Sequence, residues 1–354
     1  MRRRRIMALA ALYLAALGAL HLFAVPRLES AARALYREQV LKRLAEDASA
    51  LSARPGMEPF YLGVYRPELP LHFAKVYEIE KGLGARVSII SWYQAWGDGE
   101  EHDFDRELAE NVARGGFIPM ITWEPWVAAF DKHRGLEVDS SLALVAQGEF
   151  DDYVRKWARE ATRFGKPMFL RFAHEISNPW YPWGDAHGNT PEMYTAAWRR
   201  VHRIFREEGA RNVAFVWNPY QPRDTAYWPG ADYVDWIGLD VFNFGPEVED
   251  GFWMDYASAL RDLHSVVRSY GKPILIAEAG SVPTGGNKSI WYRDMFQSLA
   301  RGEFPGIRGV VLFDNPSGRA PNGIPVDLAM TSDTGAYAAV RAEDLRRLGL
   351  VPRH

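Results

Sequence analysis

Apolar and polar positions along this chain fall into alternating blocks. From residue 60 onward, short apolar runs of strand character occur at 60–65, 87–92, 117–123, 168–172, 213–217, 234–240, 274–277 and 310–313. Amphipathic stretches lie between most of them, at 72–83, 103–114, 150–164, 191–208, 253–270 and 288–301, and another follows at 336–347. Runs so short and continuously apolar predict strands buried on both faces, and helices between them predict a parallel sheet. Eight such strands predict an α/β fold, the (β/α)8 TIM barrel, over residues 59–349. The interval between the fifth and sixth runs holds Pro219, Pro222, Pro229 and Gly230, so its helix is expected to be short or absent.

The first 58 residues follow a different pattern. Met1 precedes four arginines, and residues 6–25 are apolar except for His21. Twenty residues at helical rise span about 30 Å, the thickness of a bilayer core. Residues 1–25 therefore read as an N-terminal transmembrane helix, with the arginines in the cytoplasm and the rest of the chain exported. The alternative is secretion after signal cleavage, with a late site near Ser30 and Ala32. Residues 26–58 read as a helical stalk stopped at Arg54-Pro55-Gly56, with Leu28, Ala31, Leu35, Val40, Leu41 and Leu44 at helical spacing.

Composition narrows the function. Apolar residues make up 47% of the chain, enough to fill the core of one large domain. Net charge is −3 with basic and acidic residues interspersed, so no electrostatic footprint for nucleic acid exists. The absence of cysteine excludes disulfides, thiolate metal sites and cysteine nucleophiles. Aromatic content reaches 13%, and Trp92, Trp96, Trp123, Trp126, Trp180, Trp183 and Trp217 all lie at or just after predicted strand ends. Aromatic faces there suit the apolar faces of sugar rings, and the same rings can pack loops onto the barrel mouth.

The chemistry centres on two acids. Glu175 ends the run Phe169-Leu170-Arg171-Phe172-Ala173-His174-Glu175, and Glu278 follows Ile274-Leu275-Ile276-Ala277. A carboxylate at the carboxyl end of a buried strand is costly to keep without a task. The barrel gathers all such ends on one face, and a pair of carboxylates there is the equipment for glycoside hydrolysis. Other strand ends contribute Trp92-Tyr93-Gln94, Trp123-Glu124, Trp217-Asn218, Asp240 with Asn243, and Asp314-Asn315. No phosphate-binding glycine loop is present, and no nucleophile-elbow motif surrounds Ser281. His174, Glu124 and Asp240 lack the spaced histidine pair of common metal sites, so no metal or cofactor is expected.

Three segments carry a family resemblance. Arg171-Phe172-Ala173-His174-Glu175-Ile176-Ser177-Asn178-Pro179-Trp180 resembles the acid/base motif of glycoside hydrolase family 26. Tyr233 to Asn243 resembles its sixth-strand signature, and Ile276-Ala277-Glu278-Ala279-Gly280-Ser281 its nucleophile strand. The resemblance covers residues 60–345 and implies a retaining endo-β-glycanase on a (β/α)8 barrel. It implies that Glu175 is the general acid/base, Glu278 the nucleophile and Trp180 a sugar platform beside the cleavage point. Arg171, His174, Trp92, Trp123, Trp217, Asn218, Asp240 and Phe242 complete the expected substrate-binding set, with Arg171 also supporting the charge of Glu278.

Two departures bear on substrate. Phe242 stands where family mannanases commonly carry a tyrosine whose hydroxyl contacts the nucleophile, and Phe has no donor. Ser177-Asn178-Pro179 stands where the family often has a short Asn-Gly turn. These turn the expectation toward a β-1,4-type or mixed-linkage β-glucan or a bacterial exopolysaccharide. The β-mannanase reading is the alternative. A transglycosylase, or a catalytically silent glycan-binding barrel, is a further one, although the silent barrel would dispense with one carboxylate.

Overall fold

The computed structural model describes residues 59–133, 140–248 and 251–350. The expected anchor and stalk, residues 1–58, lie outside the described residues. Among the described residues no helix is long and apolar enough to cross a membrane.

Eight parallel strands close into a barrel in chain order. They are β1 (Tyr61–Tyr65), β2 (Ile89–Ala95), β3 (Ile118–Glu124), β4 (Met168–Phe172), β5 (Val213–Trp217), β6 (Trp236–Asn243), β7 (Ile274–Ser281) and β8 (Ile307–Phe313). The helices are α1 (Ala74–Leu83), α2 (Arg106–Arg114), α3 (Ser141–Gln147), α4 (Asp151–Phe164), α5 (Pro191–Glu207), α6 (Tyr256–Val267), α7 (Lys288–Arg301), α8 (Thr334–Ala339) and α9 (Ala342–Arg347). A short hairpin, β9 (Gly318–Arg319) and β10 (Pro325–Val326), follows the eighth strand. Between β5 and β6 only 3-10 turns form, at Pro222–Tyr227 and Ala231–Tyr233, as the prolines there predict. Helix α3 is not evident from the pattern; seven residues are too short to show a helical period.

Helix α4 shows how the outer layer is specified. Its buried residues Val154, Trp157, Ala158, Ala161 and Phe164 recur at helical spacing and form one face. Asp151 and Asp152 occupy its first turn, where the helix dipole favours negative charge, and Gly165 ends it at φ 64°. Side-chain caps from Asp105, Thr190, Asp255 and Asn287 start α2, α5, α6 and α7. Each such cap is worth about 1 kcal/mol.

Alternation along the strands divides the core in two. Tyr61, Ile89, Met120, Phe169, Val216, Trp236 and Leu275 fill the barrel interior. Tyr61, Phe169 and Trp236 meet edge to face there, at centroid separations of 5.4–6.2 Å, and plug the barrel below the mouth. The residues of opposite parity, such as Ile90, Trp92, Ile121, Trp123, Phe215 and Trp217, face the helices.

Candidate active site

Two local departures from regular strand geometry aim the two acids. Strand β7 carries an extra residue relative to both neighbours. Leu239 pairs with Ile276 but Asp240 with Glu278, and across β8 the register shifts between Ile276 and Ala279. The bulge lets Ala277 fill the barrel interior while Glu278, the next residue, also turns inward to meet Arg171 and Tyr93. At the end of β4, Ala173 and Glu175 adopt φ values of 44° and 50°, left-handed conformations uncommon for residues with a Cβ. Backbone bonds hold this turn: Ala173 N–H donates to Trp123 O at 3.2 Å and Glu175 N–H to Asn218 O at 2.8 Å.

Arg171 links the site from below and is fully buried. Its Nε donates to Thr122 Oγ1 at 2.9 Å, and its Nη1 to Asn218 Oδ1 at 3.0 Å and to both oxygens of Asp240 at 3.1 and 3.2 Å. Its Nη2 donates to Oε1 of Glu278. Asn218 Nδ2 also donates to Asp240 Oδ2, at 2.9 Å. Glu175 contrasts with Glu278. Burial, reinforced by the charge of Glu278, raises its carboxyl to about 7. Asn178 donates from Nδ2 to Oε2 at 2.7 Å, and a side-chain hydrogen bond with Asp240 also acts on this carboxyl, both opposing the rise. Burial likewise raises Asp240, with Glu278 adding to the effect and Arg171 opposing it. Glu124, bound through Oε2 to Trp126 Nε1 at 3.0 Å, is raised by burial as well.

The structure brings together Glu175, Glu278, Arg171, Asp240 and Asn218. Trp180 is 48% exposed on the rim, tied by its N–H to Asn178 Oδ1 at 3.1 Å. Asn178 thus links the backbone of Trp180 to the Glu175 carboxylate, giving the unusual Ser177-Asn178-Pro179 segment a structural task. Ser177 donates to the buried carboxylate of Asp224 at 2.8 Å, which also accepts from the backbone N–H groups of Tyr220 and Gln221. Phe242 is half-buried in a row of rings with Phe244 and Phe313.

Four expectations need correction. Trp92, Trp123 and Trp217 do not line the mouth. Each precedes an inward residue by one position, so strand parity turns it into the helix layer. Trp123 packs against Trp96 and Trp157, and Trp217 edge to face against Trp228. His174 is also buried rather than turned to a sugar: its Nε2 meets Tyr181 Oη at 3.0 Å, and its carbonyl accepts from Trp183 Nε1. Burial, then the charge of Arg171, lowers its pKa well below the usual range and keeps the imidazole neutral. Tyr93, which the sequence places at a strand end without a role, contacts Glu278 Oε1 through its hydroxyl. Its parity with Ile89 and Ser91 on β2 is the signal that finds it.

Residues 89–270, half of the chain, match the model of glycosyl hydrolase family 26, and the chain belongs to that family. It is 31% identical over 226 residues to endoglucanase H of Acetivibrio thermocellus, covering 61% of this chain and 24% of that protein. It is 24% identical over 221 residues to the mannan endo-1,4-beta-mannosidase of Bacillus subtilis strain 168, covering 59% and 54%. The chain therefore spans about a quarter and about half of the lengths of these relatives. The fold is similar to that of the Bacillus subtilis mannanase BCman, with a TM-score of 0.57 at 17% identity over 84% of this chain and 90% of that one.

Proposed function

We propose that this chain is a retaining endo-β-glycanase that hydrolyses a β-1,4-type or mixed-linkage β-glucan, or a bacterial exopolysaccharide of that class. The observation that carries the reading is the pair of carboxyls in opposite environments at one barrel mouth. Glu175 is held protonated toward about 7, and Glu278 receives donors from Arg171 and Tyr93. Two acids in surroundings this different divide into a proton donor and a nucleophile.

In the first step Glu278 attacks the anomeric carbon. A carbon–oxygen ester bond forms, the glycosidic carbon–oxygen bond breaks, and the Glu175 proton passes to the leaving oxygen. In the second step Glu175, now ionised, takes a proton from water. The water oxygen bonds to the anomeric carbon and Glu278 leaves. Two displacements return the original configuration. Trp180, exposed beside Glu175, offers its face to the sugar on the leaving side.

The relative named endoglucanase H and the absence of a hydroxyl at Phe242 favour the glucan. The relative named mannan endo-1,4-beta-mannosidase favours β-mannan as the second reading. The catalytic domain acts outside the cytoplasm, anchored by residues 6–25, on the length of that apolar segment and its flanking arginines. A polysaccharide panel with reducing-end release and mass analysis of products tests the substrate. Internal cleavage of β-glucan with retained configuration supports the reading, and products from β-mannan alone replace it with the second.

A further inference from the structure

We infer that Tyr93 is a positioning residue for Glu278, turning its carboxylate so that Oε2 is the oxygen that attacks the sugar. The inference rests on the double-displacement reading above. Two donors converge on one oxygen of Glu278. Tyr93 Oη and Arg171 Nη2 both contact Oε1, whereas among the described residues no hydrogen-bond donor to Oε2 is found. A carboxylate gripped through one oxygen from two directions loses its freedom to rotate and leaves the other free for the anomeric carbon. Such restriction of a reacting group is a major source of catalytic rate.

Tyr93 is itself held in place. Its ring meets Tyr65 edge to face at 5.1 Å and His174 at 5.9 Å, and the Arg171 guanidinium stands 5.7 Å from the ring centre. Arg171 is in turn fixed through Thr122, Asn218 and Asp240. The phenol stays protonated and donates, because burial and the charge of Glu278 raise its pKa well above the usual value. At the carboxyl end of strand β6 neither Phe242 nor Asn243 competes for Glu278. Phe242 has no donor, and Asn243 is turned away, giving its Nδ2 to Ser281 and accepting from Gly245 and Met254.

A residue that acts through Glu278 should matter only while Glu278 is the nucleophile. The test uses the full-length chain and whichever of dinitrophenyl β-cellobioside and β-mannobioside it turns over. Tyr93→Phe removes one oxygen and keeps the ring packing. It is expected to slow the dinitrophenolate burst, which reads the attack by Glu278, about tenfold or more, with substrate affinity changed less than about twofold. The same substitution is then made in Glu278→Ala, where azide takes the place of the carboxylate. There it should change azide-driven turnover by less than about twofold, which also shows that the variant folds. An unchanged burst rate in Tyr93→Phe overturns the inference. So does an equal loss in both backgrounds, which would place the action of Tyr93 on the sugar or the fold. Failure of the double-displacement reading shows separately, in the Glu278→Ala variant alone, before Tyr93 is touched.

Discussion

Replacing Glu175 by glutamine exposes the electrostatic cost of the site without any substrate. Burial and the charge of Glu278 raise the carboxyl of Glu175 from 4.5 to about 7. At 1.36 kcal/mol per unit, ionising it in the folded chain costs about 3 kcal/mol more than in the unfolded chain. The pH dependence follows. Below about 4.5 both states hold the proton and the cost is absent. Between about 4.5 and 7 the folded chain keeps a proton that the unfolded chain has lost, so stability falls as pH rises. Above about 7 both are ionised and the full cost is present. Glutamine has no charge to bury and keeps an oxygen for Asn178 Nδ2, which now reaches Oε2 at 2.7 Å. The stability gain of Glu175→Gln over the parent should therefore be near zero at pH 4.5 and approach about 3 kcal/mol at pH 8. Asp240 is raised by the same surroundings and titrates with Glu175, which makes this value a ceiling. Chemical denaturation at pH 4.5, 6 and 8 reads the difference as a shift in midpoint at constant slope. Parallel stability curves for parent and variant would refute the argument, as would a variant that gains most at low pH.

Four further outcomes are expected. Glu175→Ala should cripple cleavage of polysaccharide but largely spare the first step on a dinitrophenyl glycoside, whose leaving group needs no proton, and the basic limb of the pH–rate profile near 7 should disappear. Trp217→Ala, which empties a fully buried site, should cost about 3–5 kcal/mol in unfolding experiments. Trp180→Ala on the exposed rim should instead weaken binding of oligosaccharides, measured by calorimetry, and leave the thermal midpoint nearly unchanged. Fractionation of cells carrying the untagged chain should place it in the membrane and resistant to high-salt washing, whereas a soluble form starting near residue 33 would reveal cleavage.

The barrel was legible because each of its strands is built on a short, mainly apolar run, with amphipathic stretches between most of them. The carboxyls were legible because such runs end on them. Errors arose where the pattern carries no parity. Trp123 and Glu124 are adjacent, yet one packs against Trp157 on α4 and the other faces the charges of the mouth. In a run apolar on both faces, nothing local says which of two neighbours points inward. An internal marker exists only where a polar residue falls inside the run, as Thr122 does on β3 and Ser91 on β2. Counting by twos from those residues reaches Glu124 and Tyr93 and excludes Trp123 and Trp92. On β7 even this count fails, because the bulge shifts the parity at Ala277, and a bulge without glycine or proline leaves no mark in the sequence.

The two irregular turns answer a requirement that regular strands cannot meet. In the proposed mechanism one inward carboxyl lies against a cation and the other away from it, although both act on the same bond. Arg171 takes the inward position on β4 and reaches across the barrel mouth, so the inward carboxyls of Asp240 on β6 and Glu278 on β7 are bound to it. Glu175, carried by the same strand as Arg171, escapes that grip through the left-handed turn at Ala173 and Glu175. For its carboxyl the guanidinium is a smaller influence than burial or the charge of Glu278. Left-handed residues with a Cβ cost about 1–3 kcal/mol each. The backbone bonds to Trp123 and Asn218, and the indole of Trp183 on the carbonyl of His174, hold the turn against that cost. The strain therefore lies at the point where one arginine would otherwise make the two acids alike. Without that difference neither a proton donor nor a separate nucleophile could exist in the same mouth.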